Sequence, residues 1–135
     1  MKHIGIGLCV KGSVAAVNLY CAAFDLTLGY HVLNRDGSYY HSELYSGENE
    51  MLSVVEADDG TPHNNPVQLC YTFDSEEQLR GAFKLLSAEG RVRMDVCALP
   101  WSPCAAEVVD RFGIRWYLTV PQHRPPEDFS PDDPL

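Results

Sequence analysis

The sequence is short of positive charge, of long apolar runs and of paired cysteines, and each shortage removes a class of function. Lysine and arginine number 10 against 19 aspartates and glutamates, for a formal net charge of −9. Such a chain repels phosphate backbones and anionic headgroups, so neither nucleic acid nor a membrane is an expected partner. No apolar stretch approaches the roughly 18–20 residues of a membrane-crossing helix. Gly5, Gly7, Cys9 and Lys11 interrupt the opening MKHIGIGLCVKG, and no small-residue cleavage site follows cleanly, so it reads as a first strand and the protein as cytoplasmic. The five cysteines, Cys9, Cys21, Cys70, Cys97 and Cys104, form no C-x-x-C pair and are odd in number. Buried reduced thiols are the expectation, with a Cys97–Cys104 bridge across one loop as the alternative. There is no nucleophile elbow and no phosphate-binding glycine loop. Gly5-x-Gly7 opens a strand where a dinucleotide fingerprint would leave one for a helix. No two histidines share the spacing of a zinc site.

What is present is enough for a core: 135 residues, 45% of them hydrophobic. Ile4, Ile6, Leu8 and Val10 alternate with His3, Gly5, Gly7 and Cys9, the period of a strand with one apolar face. Ser13 is placed to cap a helix with Val14, Val17, Cys21 and Phe24 as its stripe. Strands are expected at 26–33, 39–45 and 51–55, with turns at Asp36-Gly37 and Gly47-Glu48-Asn49. The polar EADDGTPHNNP (56–66) then breaks the chain, and the same order restarts. Val67, Leu69, Tyr71 and Phe73 alternate, and Ser75 with Gln78 makes a capping box. Leu79, Ala82, Phe83 and Leu86 form a helical stripe that Gly90 ends, and strands follow at 91–97, 105–109 and 114–120.

The expected fold class is therefore α+β: two βαβββ modules forming curved mixed sheets around a cleft, with helices on the convex faces. The modules are residues 1–60 and 61–120 of a single domain. The remaining 121–135, acidic and with five prolines in fifteen residues, is an extended tail.

Three stretches carry a likeness beyond this pattern: AVNLYCAAFDLTLGY (16–30), YHSELYSGENEMLSV (40–54) and VDRFGIRWYL (109–118). With the doubled βαβββ order they resemble the PhnB-like branch of the vicinal oxygen chelate superfamily, which includes glyoxalase I, ring-cleaving dioxygenases and bleomycin resistance proteins. The matching features are an aliphatic-Tyr pair before an Ala-Phe-Gly-like helix end, a His-x-Glu-Leu strand with its hairpin, and an Asp-Pro-Phe-Gly-x-x-Trp close. Arg111 stands where that proline is usual, and PWSPCAAEVV lacks the branch's Gly-rich run. No motif for methyl transfer or phosphonate chemistry accompanies the likeness.

The resemblance implies a glyoxalase-like fold, a small-molecule ligand and a homodimer. It also implies where a metal would bind: one side chain from the first and one from the fourth strand of each half. Those positions fall to Gly5, Ser53, Gln68 and Tyr117, of which only Gln68 is a plausible ligand. No metal or other cofactor is therefore expected. Arg115, Tyr117 and Thr119 should face the cleft, with Trp116, Leu118 and Val120 towards the helix layer. His41 and Glu43, two apart on a strand, point the same way. They serve as polar hooks for a ligand, as an acid–base pair or as two metal ligands, or they merely hydrogen-bond in the wall. Trp101 either caps the cleft or plugs the core. His3, His31, His63 and His123 are read as surface, edge, connector and tail residues. The site expected is His41, Glu43, Gln68, Trp101 and Tyr117. Its function is binding of a small organic molecule in a metal-free cleft. The alternative is a lyase, isomerase or dioxygenase holding a metal through His41, Glu43 and Gln68.

Overall fold

Alternation fixes the first strand: Leu8 and Val10 are buried and Gly7 and Cys9 exposed in β1 (Gly7–Val10) of the computed structural model. Residues 5–57 and 67–123 are described, so His3, the connector around His63 and the tail beyond His123 lie outside them. After β1 come α1 (Ser13–Phe24), β2 (Thr27–Leu33), β3 (Tyr39–Ser46) and β4 (Asn49–Glu56). The second set is β5 (Gln68–Thr72), α2 (Glu76–Ser87), β6 (Arg91–Leu99), β7 (Ser102–Val109) and β8 (Arg115–Thr119). The chain divides into two compact units between residues 65 and 66.

Each unit is one βαβββ module with the same sheet order. In the first, β1-β4-β3-β2 pairs β1 and β4 parallel and the rest antiparallel. In the second, β5-β8-β7-β6 repeats that scheme, with β5 and β8 parallel. Each helix packs on its own sheet and buries that sheet's apolar face. In the second unit this face carries Leu118 opposite Ala106 and Trp116 opposite Val108, all buried. Leu79, Ala82 and Leu86 of α2 are buried as well. The fold is α+β with two mixed sheets, as the period-two and helical patterns predict.

Local details differ from the sequence reading, each for a stated contact. Ser13 does not cap α1. Its hydroxyl accepts the Tyr39 N–H at 2.9 Å, and Gly12, in the left-handed region at φ 85°, precedes the helix. The end is capped from β4 instead: Glu56 accepts the Gly12 and Ser13 N–H groups at 3.0 and 2.9 Å. The buried face of α1 is Ala16, Val17, Tyr20, Ala23 and Phe24, whereas Val14 is exposed and Cys21 only half-buried. The α2 capping box forms, with Ser75 Oγ accepting the Gln78 N–H, although the Gln78 side chain reaches back to the Asp74 amide. Gly90 is not the left-handed residue after α2; Glu89 is, at φ 58°. Glycine is required at 90 because a Cβ there would lie 2.4 Å from the Val109 carbonyl oxygen.

Candidate functional site

The last turn of the second unit is held by Asp110, which is 3% exposed. Its Oδ1 accepts the Phe112 and Ile114 N–H groups at 2.9 and 3.1 Å, and its Oδ2 accepts the Trp116 indole N–H at 2.8 Å. Gly113 takes φ 86°, closing the turn. Arg111 pairs with Glu89 at 3.2 Å and lies over the Phe112 ring, 5.0 Å from its centre. The Asp-x-Phe-Gly-x-x-Trp signature is thus a brace that sets the phase of β8. That phase buries Trp116 and Leu118 and turns Arg115 and Tyr117 to the face away from α2.

On this helix-distal face the register lays out the candidates. Gln68 of β5 stands beside Arg115, while Tyr117 lies between Cys70 of β5 and Glu107 of β7. Gln68 donates to Glu107 Oε1 at 3.3 Å. Trp101, at the β6–β7 turn, donates its indole N–H to the Tyr117 hydroxyl at 3.1 Å. That hydroxyl donates in turn to Gln122 Oε1 at 3.1 Å. Trp101 is half-buried, so it neither plugs the core nor stands free; it folds onto the tip of Tyr117. The expected tail starts as part of this layer, since the His123 N–H bonds the Trp101 carbonyl at 2.9 Å. Thr119 is fully buried and bonds Ser102 Oγ at 2.7 Å, so it is a strut rather than a ligand contact.

In the first unit His41 and Glu43 of β3 lie on one half-buried side of the strand, with Ser42 and Leu44 buried on the other. His41 Nε2–H donates to Glu43 Oε2 at 2.8 Å, and Tyr45 donates its hydroxyl to Glu43 Oε1 at 2.6 Å. The Tyr45 hydrogen bond first, and then that of His41, holds the Glu43 carboxyl below its ordinary value. Tyr45 is pushed up in turn, by that hydrogen bond, by burial and by the charges of Glu43 and Glu50. Glu43 is therefore an anion whose two oxygens are both engaged. Tyr45 continues the 41, 43 parity and Glu107 is the cross-strand neighbour of Tyr117, so strand pairing would have found both.

The structure brings together His41 with Glu43, and Tyr117 with Trp101; Gln68 pairs with Glu107. The implied metal positions carry few ligating groups. Gly5 precedes β1, and the residue beside Ser53 is Gly7, whose added Cβ would sit 3.1 Å from Ser53 Oγ. Gln68 pairs with Arg115 rather than Tyr117, two residues out of step. Among the described residues no three of His, Cys, Asp and Glu converge. The side chains present do not fit the four-ligand site of the metal enzymes. All five cysteines are free thiols, and Cys97 is paired with Ala105, so the Cys97–Cys104 bridge is not formed. The expectation of buried thiols holds only for Cys104, because Cys9, Cys70 and Cys97 are exposed and Cys21 is half-buried.

Several solved structures are similar to this chain over most of its length. A PhnB protein from Bacillus cereus matches with a TM-score of 0.76 at 20% identity, over 88% of this chain and 99% of its own. A glyoxylase/bleomycin resistance protein/dioxygenase domain from Frankia sp. matches at 0.66 and 15%, over 90% and 98%. The genomically encoded fosfomycin resistance protein of Listeria monocytogenes matches at 0.66 and 11%, over 89% and 93%. No family model and no curated protein matches the sequence. The chain has the vicinal oxygen chelate fold that these proteins share, as its doubled βαβββ order and quoted motifs imply. Among the described residues no helix is long and apolar enough to cross a membrane.

Proposed function

We propose that the chain is a PhnB-like glyoxalase/bleomycin resistance-family protein that binds a small organic molecule without a metal. Its ligand contacts are His41, Glu43, Gln68, Trp101 and Tyr117, and it works as a cytoplasmic homodimer, with 1–120 as the binding domain. One observation carries the reading. The helix-distal face of each sheet holds half-buried polar side chains joined in pairs, whereas of the residues at the fold's metal positions only Gln68 is a plausible ligand. Pairs of this kind orient a ligand through a few hydrogen bonds and an aromatic surface, which is how small-molecule sites gain specificity. The reading needs no acid–base step, and the His41–Glu43 pair serves as a directed donor and acceptor set.

Elemental analysis and native mass spectrometry of protein purified without chelator test it. Retention of a small organic molecule, lost in a Glu43→Ala or Tyr117→Ala variant that still folds, is the expected result. One equivalent of nickel, zinc, iron or manganese, lost together with a catalysed reaction in Glu43→Ala, would replace this reading with the metal-dependent lyase, isomerase or dioxygenase.

A further inference from the structure

Arg115 stands out on the helix-distal face of the second sheet. Its Nε is buried and has no hydrogen-bond partner, alone among the buried side-chain nitrogens and oxygens of the described residues. A buried, unpaired guanidinium N–H is costly, and native structures satisfy such an orphan with a bound water, an ion or a ligand. The nearest neighbours in register do not supply one. Gln68 beside it gives an amide proton to Glu107, and Glu107 forms no ion pair with Arg115. Arg91, on β6 opposite Val109, adds a second, exposed cation to the same row.

We propose that Arg115 binds the carboxylate of a small organic molecule, with the hydrogen-bonded Tyr117–Trp101 pair against its apolar body; this rests on the small-molecule reading above. The planar guanidinium presents N–H groups in a fork that matches the two oxygens of a carboxylate, and charge-assisted bonds of this kind are strong and directional. The second amide proton of Gln68 lies on the neighbouring strand as an added donor. Glu107, one row along, and the net charge of −9 oppose a doubly charged group. The site therefore selects a monoanionic carboxylate over a phosphonate dianion.

The test titrates the intact, isotope-labelled protein with matched probes: benzoate against benzamide, indole-3-acetate against indole-3-acetamide, and phenylphosphonate. The readouts are the NMR signals of the Arg115 Nε–H and the Trp101 indole N–H. The expected result is that a carboxylate shifts both signals and binds about tenfold or more tighter than its amide twin. Arg115→Met should abolish that preference and Arg115→Lys should weaken it, whereas Glu107→Gln should strengthen carboxylate binding. The twin comparison on the unaltered protein stands even where a variant fails to fold. Equal binding of acid and amide would overturn the carboxylate inference and leave the small-molecule reading in place. Tighter binding of phenylphosphonate would overturn the stated selectivity. No shift at Arg115 or Trp101 with any probe would overturn both.

Discussion

Asp110 shows how much one buried carboxylate organises. It takes two backbone N–H groups and an indole N–H, so the turn 110–114 and the ring of Trp116 are set by a single side chain. Removing it leaves those donors unsatisfied in a buried place, and such losses are non-additive but together cost about 3 kcal/mol. Asp110→Ala is expected to lower the stability measured by urea denaturation by that amount, with an altered tryptophan emission in the folded state. A change within experimental error would show that the brace is dispensable. The motif itself was legible in VDRFGIRWYL. Its role was not, because a sequence shows that Asp and Trp lie six apart but not that the turn folds the carboxylate back onto the indole.

At the scale of elements, α1 is the instructive case. Its N-terminal amides are satisfied by Glu56, 43 residues away from Ser13 in the chain, so the helix and β4 stabilise each other. Burial works to raise the Glu56 carboxyl, but hydrogen bonds from the Ser13 and Gly12 amides and the Ser13 hydroxyl, with the charge of Lys11, outweigh it and hold it below its ordinary value. A carboxyl lowered on folding contributes stability above its unfolded value, and the contribution is lost as pH falls through the folded one. Glu56→Gln is therefore expected to cost about 1 kcal/mol at neutral pH, the size of a helix cap. The difference from the unaltered protein should shrink as pH falls below about 4. Urea midpoints measured across that range check it; a difference independent of pH would remove Glu56 as the charged cap. Ser75 and Gln78 lie three apart, so the α2 cap could be read locally, whereas the α1 cap depends on a strand that pairs later in the chain.

The repeated sheet order leaves β1 and β2 as edges of the first sheet and β5 and β6 as edges of the second. On β2, Leu28, Tyr30, Val32 and Leu33 are exposed, and Tyr40 of β3 is 69% exposed. An apolar edge strand invites pairing, and natural proteins usually cover one. This is what supports the homodimer under the proposed function. Light scattering at micromolar concentration is expected to give twice the 15.1 kDa chain mass. A Tyr30→Glu, Leu33→Lys variant should return the single-chain value, and a single-chain mass for the unaltered protein would sink the proposal.

The element order, the doubling and the parity of His41, Glu43 and Tyr117 were legible in the chain, because strand alternation and helical periodicity are local properties of neighbouring residues. The sequence also argued against a four-ligand metal set, since Gly5, at the first-strand position that the resemblance implies, brings no side chain. The partners of these residues were set by packing and register. Register set Gln68 beside Arg115 rather than Tyr117. The β6–β7 turn delivered Trp101 to the Tyr117 hydroxyl. The orphaned Arg115 Nε has no trace in the chain order, because burial and the lack of an acceptor arise only when four strands pair and a helix packs on one side of them.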